Sequence, residues 1–94
     1  MSKKEKLEKL MSELEGVNSD KDVRNFYTKA ELIFSRLYGE QSIEFKKLKE
    51  IIEAYNMAAF SDAIGTGSVD ISTVKNFKDD VKNFLGTLVE LEDE

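Results

Sequence analysis

The chain of 94 residues has room for one small domain; at 40% hydrophobic residues it can build a core, and its net charge of −5 argues against a general affinity for nucleic acid or anionic lipid. It contains no cysteine and no histidine, which excludes disulfides, thiolate chemistry, and the commonest general base and metal ligand. The apolar runs are only a few residues long against the roughly 20 needed to cross a bilayer, the basic start Met1-Ser2-Lys3-Lys4-Glu5-Lys6 runs into Leu7-Glu8-Lys9-Leu10 and not into the apolar region of an export signal, and a cytoplasmic location is expected.

Helical periodicity runs the length of the chain. Leu7, Leu10, Met11 and Leu14 predict a first helix over 3–15, with Gly16 placed to end it in a left-handed conformation. Ser19 followed by Asp22 resembles a capping box with the shorter acid, and opens a second helix over 20–38. Its stripe is broad: Val23, Phe26, Tyr27, Ala30, Ile33, Phe34, Leu37 and Tyr38, closed by Gly39.

Ser42 caps a third helix from about 43, carrying Phe45, Leu48, Ile51, Ile52, Tyr55, Ala58 and Ala59. Residues 56–64 read either as its continuation or as a short extra helix, before Gly65-Thr66-Gly67-Ser68 ends it. Asp70 or Ser72 caps a fourth helix over 71–91, in which Val74, Phe77, Val81, Phe84, Leu88 and Leu91 form a coiled-coil-like seam with Gly86 inside it. The expected fold is all-α, an antiparallel four-helix bundle formed by a single domain over 1–94. In that arrangement the basic stretch Lys3, Lys4, Lys6, Lys9 and the acidic stretch Glu90, Glu92, Asp93, Glu94 lie at one end and attract weakly.

The residue types leave little for catalysis. Without His or Cys, neither the common nucleophile-base pairs nor zinc sites nor the Glu-x-x-His di-iron pattern can be built. Asp79-Asp80 and the C-terminal acids lack the loop pattern of a calcium site and read as solvated helix faces. Gly65-Thr66-Gly67 lacks the third glycine of a dinucleotide fingerprint and the lysine of a P-loop. The best basic patch, Lys46, Lys47 and Lys49 with Lys29 and Arg36, is diluted by Glu40, Glu44, Glu50 and Glu53, which argues against nucleic acid. No catalytic, cofactor-binding or metal-ligating residue is assigned.

The run Phe26-Tyr27-x-x-Ala30-x-x-x-Phe34-x-x-Leu37-Tyr38-Gly39-Glu40-x-Ser42 resembles the helical segment N-terminal to TIR-like or other nucleotide-binding effector domains in bacterial defence and stress proteins. There a helix ends in an aromatic-Gly-Glu-x-Ser turn and a second helix follows. The likeness covers about 23–52, with a looser echo in the last helix. No effector domain is part of this sequence, so the resemblance carries over no catalytic residue and implies a stand-alone bacterial or phage-encoded assembly or sensing module.

The function expected is therefore non-catalytic: a regulator or inhibitor that binds a protein partner through exposed aromatics among Tyr27, Tyr38, Tyr55 and Phe60. A homodimer would bury surplus apolar surface. The alternative is a module that binds a small ligand or nucleotide through convergent Lys, Arg, Ser or Thr groups, with 56–71 as a loop over the site.

Overall fold

In the computed structural model, which describes residues 2–92, four helices make up an all-α bundle: α1 (Lys3–Leu14), α2 (Asp20–Leu37), α3 (Ile43–Thr66) and α4 (Ile71–Glu92). Local chemistry sets most of the boundaries. Ser2 and Glu5 form a reciprocal capping box at the start of α1, satisfying two backbone N–H groups that have no partner inside the helix. At α2 the box is modified: Ser19 Oγ accepts from the Asp22 N–H, while the shorter Asp22 side chain accepts from the N–H of Asn18. Ser42 Oγ caps α3 by accepting from the Phe45 N–H. At α4 the Asp70 side chain accepts from the Ser72 N–H, so Asp70 is the capping residue of the two candidates.

The helices are ringed so that α1 packs on α4 and α2, and α3 on α2 and α4; α1 and α3 lie on one diagonal with no close backbone approach, while α2 and α4 meet across the other. Leu7, Leu10, Val23, Phe34, Leu48, Val81 and Leu85 are the fully buried centre. Aromatic rings organise both ends of it. Phe77 meets Phe26 and Tyr55 edge-on, with centroids 6.3 Å and 5.3 Å away; toward the chain ends Phe34 packs on Tyr38 at 5.3 Å and Phe84 at 5.9 Å. Such pairs add about 0.5–1.5 kcal/mol beyond their area burial. Lys3 Nζ lies 4.7 Å from the centre of the Tyr38 ring, and the Glu92 charge also acts on Tyr38. The start of α1 and the end of α4 therefore share one end of the bundle, as expected; Asp93 and Glu94 lie outside the described residues.

Three expectations are corrected. Gly16 does not take a left-handed conformation: positive φ is confined to Gly39 (88°) and Gly67 (87°) among the described residues. Instead α1 ends through a tightened turn in which Gly16 N–H donates to Glu13 O and Val17 N–H to Leu14 O. Residues 56–64 take the first of the two helical forms expected, and it is the loop over 56–71 that is corrected. They continue α3 unbroken to Thr66, because nothing from Asn56 to Ile64 breaks a helix, and Gly67 then supplies the left-handed cap. Finally, the buried seam of α4 runs through Leu85, with Phe84 half-buried and Leu91 exposed. A straight helix of 3.6 residues per turn drifts off a strict seven-residue repeat, so a line begun at Val74 and Phe77 passes to Leu85.

Candidate interaction surfaces

The four aromatics named from the sequence do not share a surface. Tyr55 is only 4% exposed. It sits on the inner face of α3 and its hydroxyl donates to Asp20 Oδ1 at 2.6 Å, with the Arg24 guanidinium 5.2 Å from the ring centre. Burial and the Asp20 carboxylate push its phenol up. Tyr55 is thus a core residue with a polar tip, not a free contact. Tyr27 is half-buried on α2, its phenol raised by burial and by a hydrogen bond to Glu31. Tyr38 is half-buried beneath Lys3, and burial pushes its phenol up to about 12; its hydroxyl has no hydrogen-bond partner among the described residues. Phe60 alone is open, at 68% exposure.

Phe60 has companions that the sequence reading passed over. Met57 is 75% exposed and Ile64 72%. Positions 57, 60 and 64 follow a three-then-four spacing, which places them on one face of α3, opposite the buried line of Leu48, Ile52, Tyr55 and Ala59. The face points away from the bundle, as Lys46, Glu50 and Glu53 do earlier on the helix, and here α3 also outlasts α2. The first residue of α2, Asp20, sits beside Tyr55, and Arg24 hydrogen-bonds Asn56 Oδ1, so α2 begins level with the middle of α3. Residues 57–66 run on beyond it for about 15 Å at 1.5 Å per residue.

The start of α4 steadies this overhang. Asp62 Oδ2 accepts the Asp70 N–H at 3.0 Å and the Thr73 hydroxyl at 2.5 Å. These donors, the hydroxyl first, hold the Asp62 carboxyl below its ordinary value. Between Glu53 and Lys75 the only charged residues are Asp62 and Asp70, and both are engaged in this junction. The outward face from Met57 to Ile64 is consequently uncharged in a chain that is 35% charged. That depletion was the available signal: exposed helix faces are ordinarily polar, and charge is scarce where an interface core forms.

The expected loop over a ligand site is absent, because 56–66 is helical and the α3–α4 connection is the short turn 67–70. The depressions between helices are open grooves. The one between α3 and α4 measures about 590 Å³ and mixes Lys47, Glu50 and Asp80 with Ile51 and Phe84; the one between α1 and α4, about 390 Å³, sets Ile71 beside Lys75, Lys78 and Lys82. Among the described residues, no three Asp or Glu side chains converge as a metal-holding group, and no helix is long and apolar enough to cross a membrane. No family model, curated protein or solved structure matches the chain.

Proposed function

We propose that the chain is a non-catalytic protein-protein interaction module, a regulator or inhibitor of bacterial or phage origin, and that its contact face is the outward side of the α3 overhang. The observation that carries this reading is the trio Met57, Phe60 and Ile64, each more than two-thirds exposed on one uncharged helix face. Side chains at this spacing are the anchors by which one helix seats in the groove of another protein. A large ring flanked by aliphatics, in a region free of charge, matches the composition of interface centres. The missing histidine and cysteine support the non-catalytic part.

The same face also suits a second copy. Two α3 overhangs laid antiparallel about Phe60 would set Met57 of each against Ile64 of the other and bring no like charges together on that face.

An affinity capture of the tagged protein from bacterial lysate, after nuclease treatment, tests the reading when run beside Phe60→Ser and Leu32→Ser. Leu32 is an exposed apolar residue on α2 and controls for general stickiness. A stoichiometric partner retained by Leu32→Ser and lost by Phe60→Ser is the expected result; equal retention by both variants overturns the site. Light scattering resolves the dimer, which Phe60→Ser should return to monomer.

A further inference from the structure

Each of the four helices of this acidic protein carries basic residues, and four of them converge between α1 and α2. Lys6 and Lys9 of α1 and Lys29 and Arg36 of α2 line one groove of about 210 Å³ between the two helices. Its base is apolar, formed by the buried Leu10 and the half-buried Ile33. A single carboxylate, Glu13, enters the groove, and it is tied to Lys29 Nζ at 2.5 Å. Lys6, Lys9 and Arg36 have no carboxylate within ion-pair distance among the described residues. Three cations without an ion pair among the described residues thus stand together on a chain whose net charge is −5.

The arrangement of the cations limits what they suit. Lys29 and Arg36 are seven residues apart, about 10.5 Å along the axis of α2, and Lys6 and Lys9 run beside them, one turn apart on α1. The positive charge outlines a strip and not a point. A lone phosphate would engage one end of it. A nucleotide needs a pocket of some 300 Å³ or more that encloses most of its surface, and this groove is smaller and open. A peptide segment with carboxylates at successive helical turns matches both the length and the sign, and Glu13 already displays the carboxylate–ammonium contact that each further pair would repeat. Arg36 offers a planar fork for bidentate carboxylate binding.

We infer that the α1–α2 groove is a docking site for an acidic segment of a protein partner. It is distinct from the α3 overhang: no residue lining the groove belongs to α3, and α1 makes no close backbone approach to that helix, so the two surfaces can be occupied together. One partner would be held through apolar contact and the other through charge.

The test is fluorescence anisotropy of the full chain with a labelled helical peptide bearing Glu at every third or fourth position, against the same peptide with Gln. The Glu peptide should bind at least about tenfold more tightly, and its affinity should fall by about tenfold between roughly 50 and 300 mM salt, as screening shortens the reach of exposed charges. The paired reversal Lys6→Glu with Arg36→Glu should abolish binding, while Lys47→Glu, on α3, should leave it unchanged. If the reversal disturbs the circular dichroism melt, Lys9→Gln with Arg36→Gln supplies the same readout without reversing charge. Equal binding of the Glu and Gln peptides, or an unimpaired Lys6→Glu/Arg36→Glu variant, overturns the proposal. So does tripolyphosphate binding in this groove while the Glu peptide fails to bind, which would make it a phosphate site.

Discussion

The two halves of α3 obey the same helical geometry and present opposite surfaces. From Ile43 to Tyr55 the helix is amphipathic in the ordinary sense: Phe45, Leu48, Ile52 and Tyr55 face inward, while Lys46, Lys49, Glu50 and Glu53 face water. From Met57 to Ile64 the inward line thins to Ala59 and the half-buried Asp62, and the large apolar side chains stand outside. The first half is covered by both α2 and α4, and the start of α4 steadies the second. A helix can therefore carry a fold-forming segment and a contact segment in series, with the change set by which side chains occupy its outward face.

The sharpest way to break this comparison is to truncate one residue in each half. Leu48→Ala, at a site 1% exposed, should destabilise the protein by about 2–5 kcal/mol in urea unfolding, since it leaves a cavity in close-packed surroundings. Phe60→Ala should stay within about 0.5 kcal/mol of wild type in the same assay. A comparable loss at Phe60 would mean that the overhang is part of the core.

Tyr55→Phe removes the hydroxyl donated to Asp20 at the boundary between the halves and should cost about 0.5–1.5 kcal/mol. In the contact half the sign reverses: Gly65 is helical with open space where a Cβ would stand, so Gly65→Ala should stabilise by up to about 1 kcal/mol. At Gly67, with φ of 87°, the same substitution should destabilise.

The smallest effect is electrostatic. The folded state lowers the Asp62 carboxyl from its ordinary 3.8, so its contribution is present above that value and is lost as pH falls through the lowered one. Asp62→Asn should flatten the acid limb of the melting profile slightly. The tyrosines act at the other extreme. Tyr38 is raised from 10.0 to about 12, so the stability linked to its protonated form is complete below pH 10 and drains away as pH climbs toward 12. Phenolate absorbance should show this titration displaced upward from that of a free tyrosine.

Helix class and spacing were legible because core formation and periodicity are the same constraint: Leu7, Leu10, Val23, Phe34 and Leu48 each repeat at helical steps and each is buried. The aromatic ends of that stripe were less so. Tyr55 and Phe60 look alike in a list of large aromatics, five residues apart, yet a helix turns them to different faces, and only Tyr55 falls opposite a neighbour. Where α2 begins relative to α3 is a tertiary fact with no local sequence signature. Gly16 shows a similar limit: a glycine permits a left-handed turn and does not compel one. The α1–α2 groove has no local signature, because its cations come from two segments far apart in the sequence, Lys6 and Lys9 in one and Lys29 and Arg36 in the other.

The ring closes through α1, made well before α4, the helix against which it principally lies. During synthesis at about 5–20 residues per second, α1 must wait several seconds for most of its permanent neighbour. The reciprocal Ser2–Glu5 cap can form within the first turn, and so can hold a helical start in place through that interval. Leu10 can meet α2 in the meantime, whereas Leu14, which faces Val74, lacks that cover until α4 arrives.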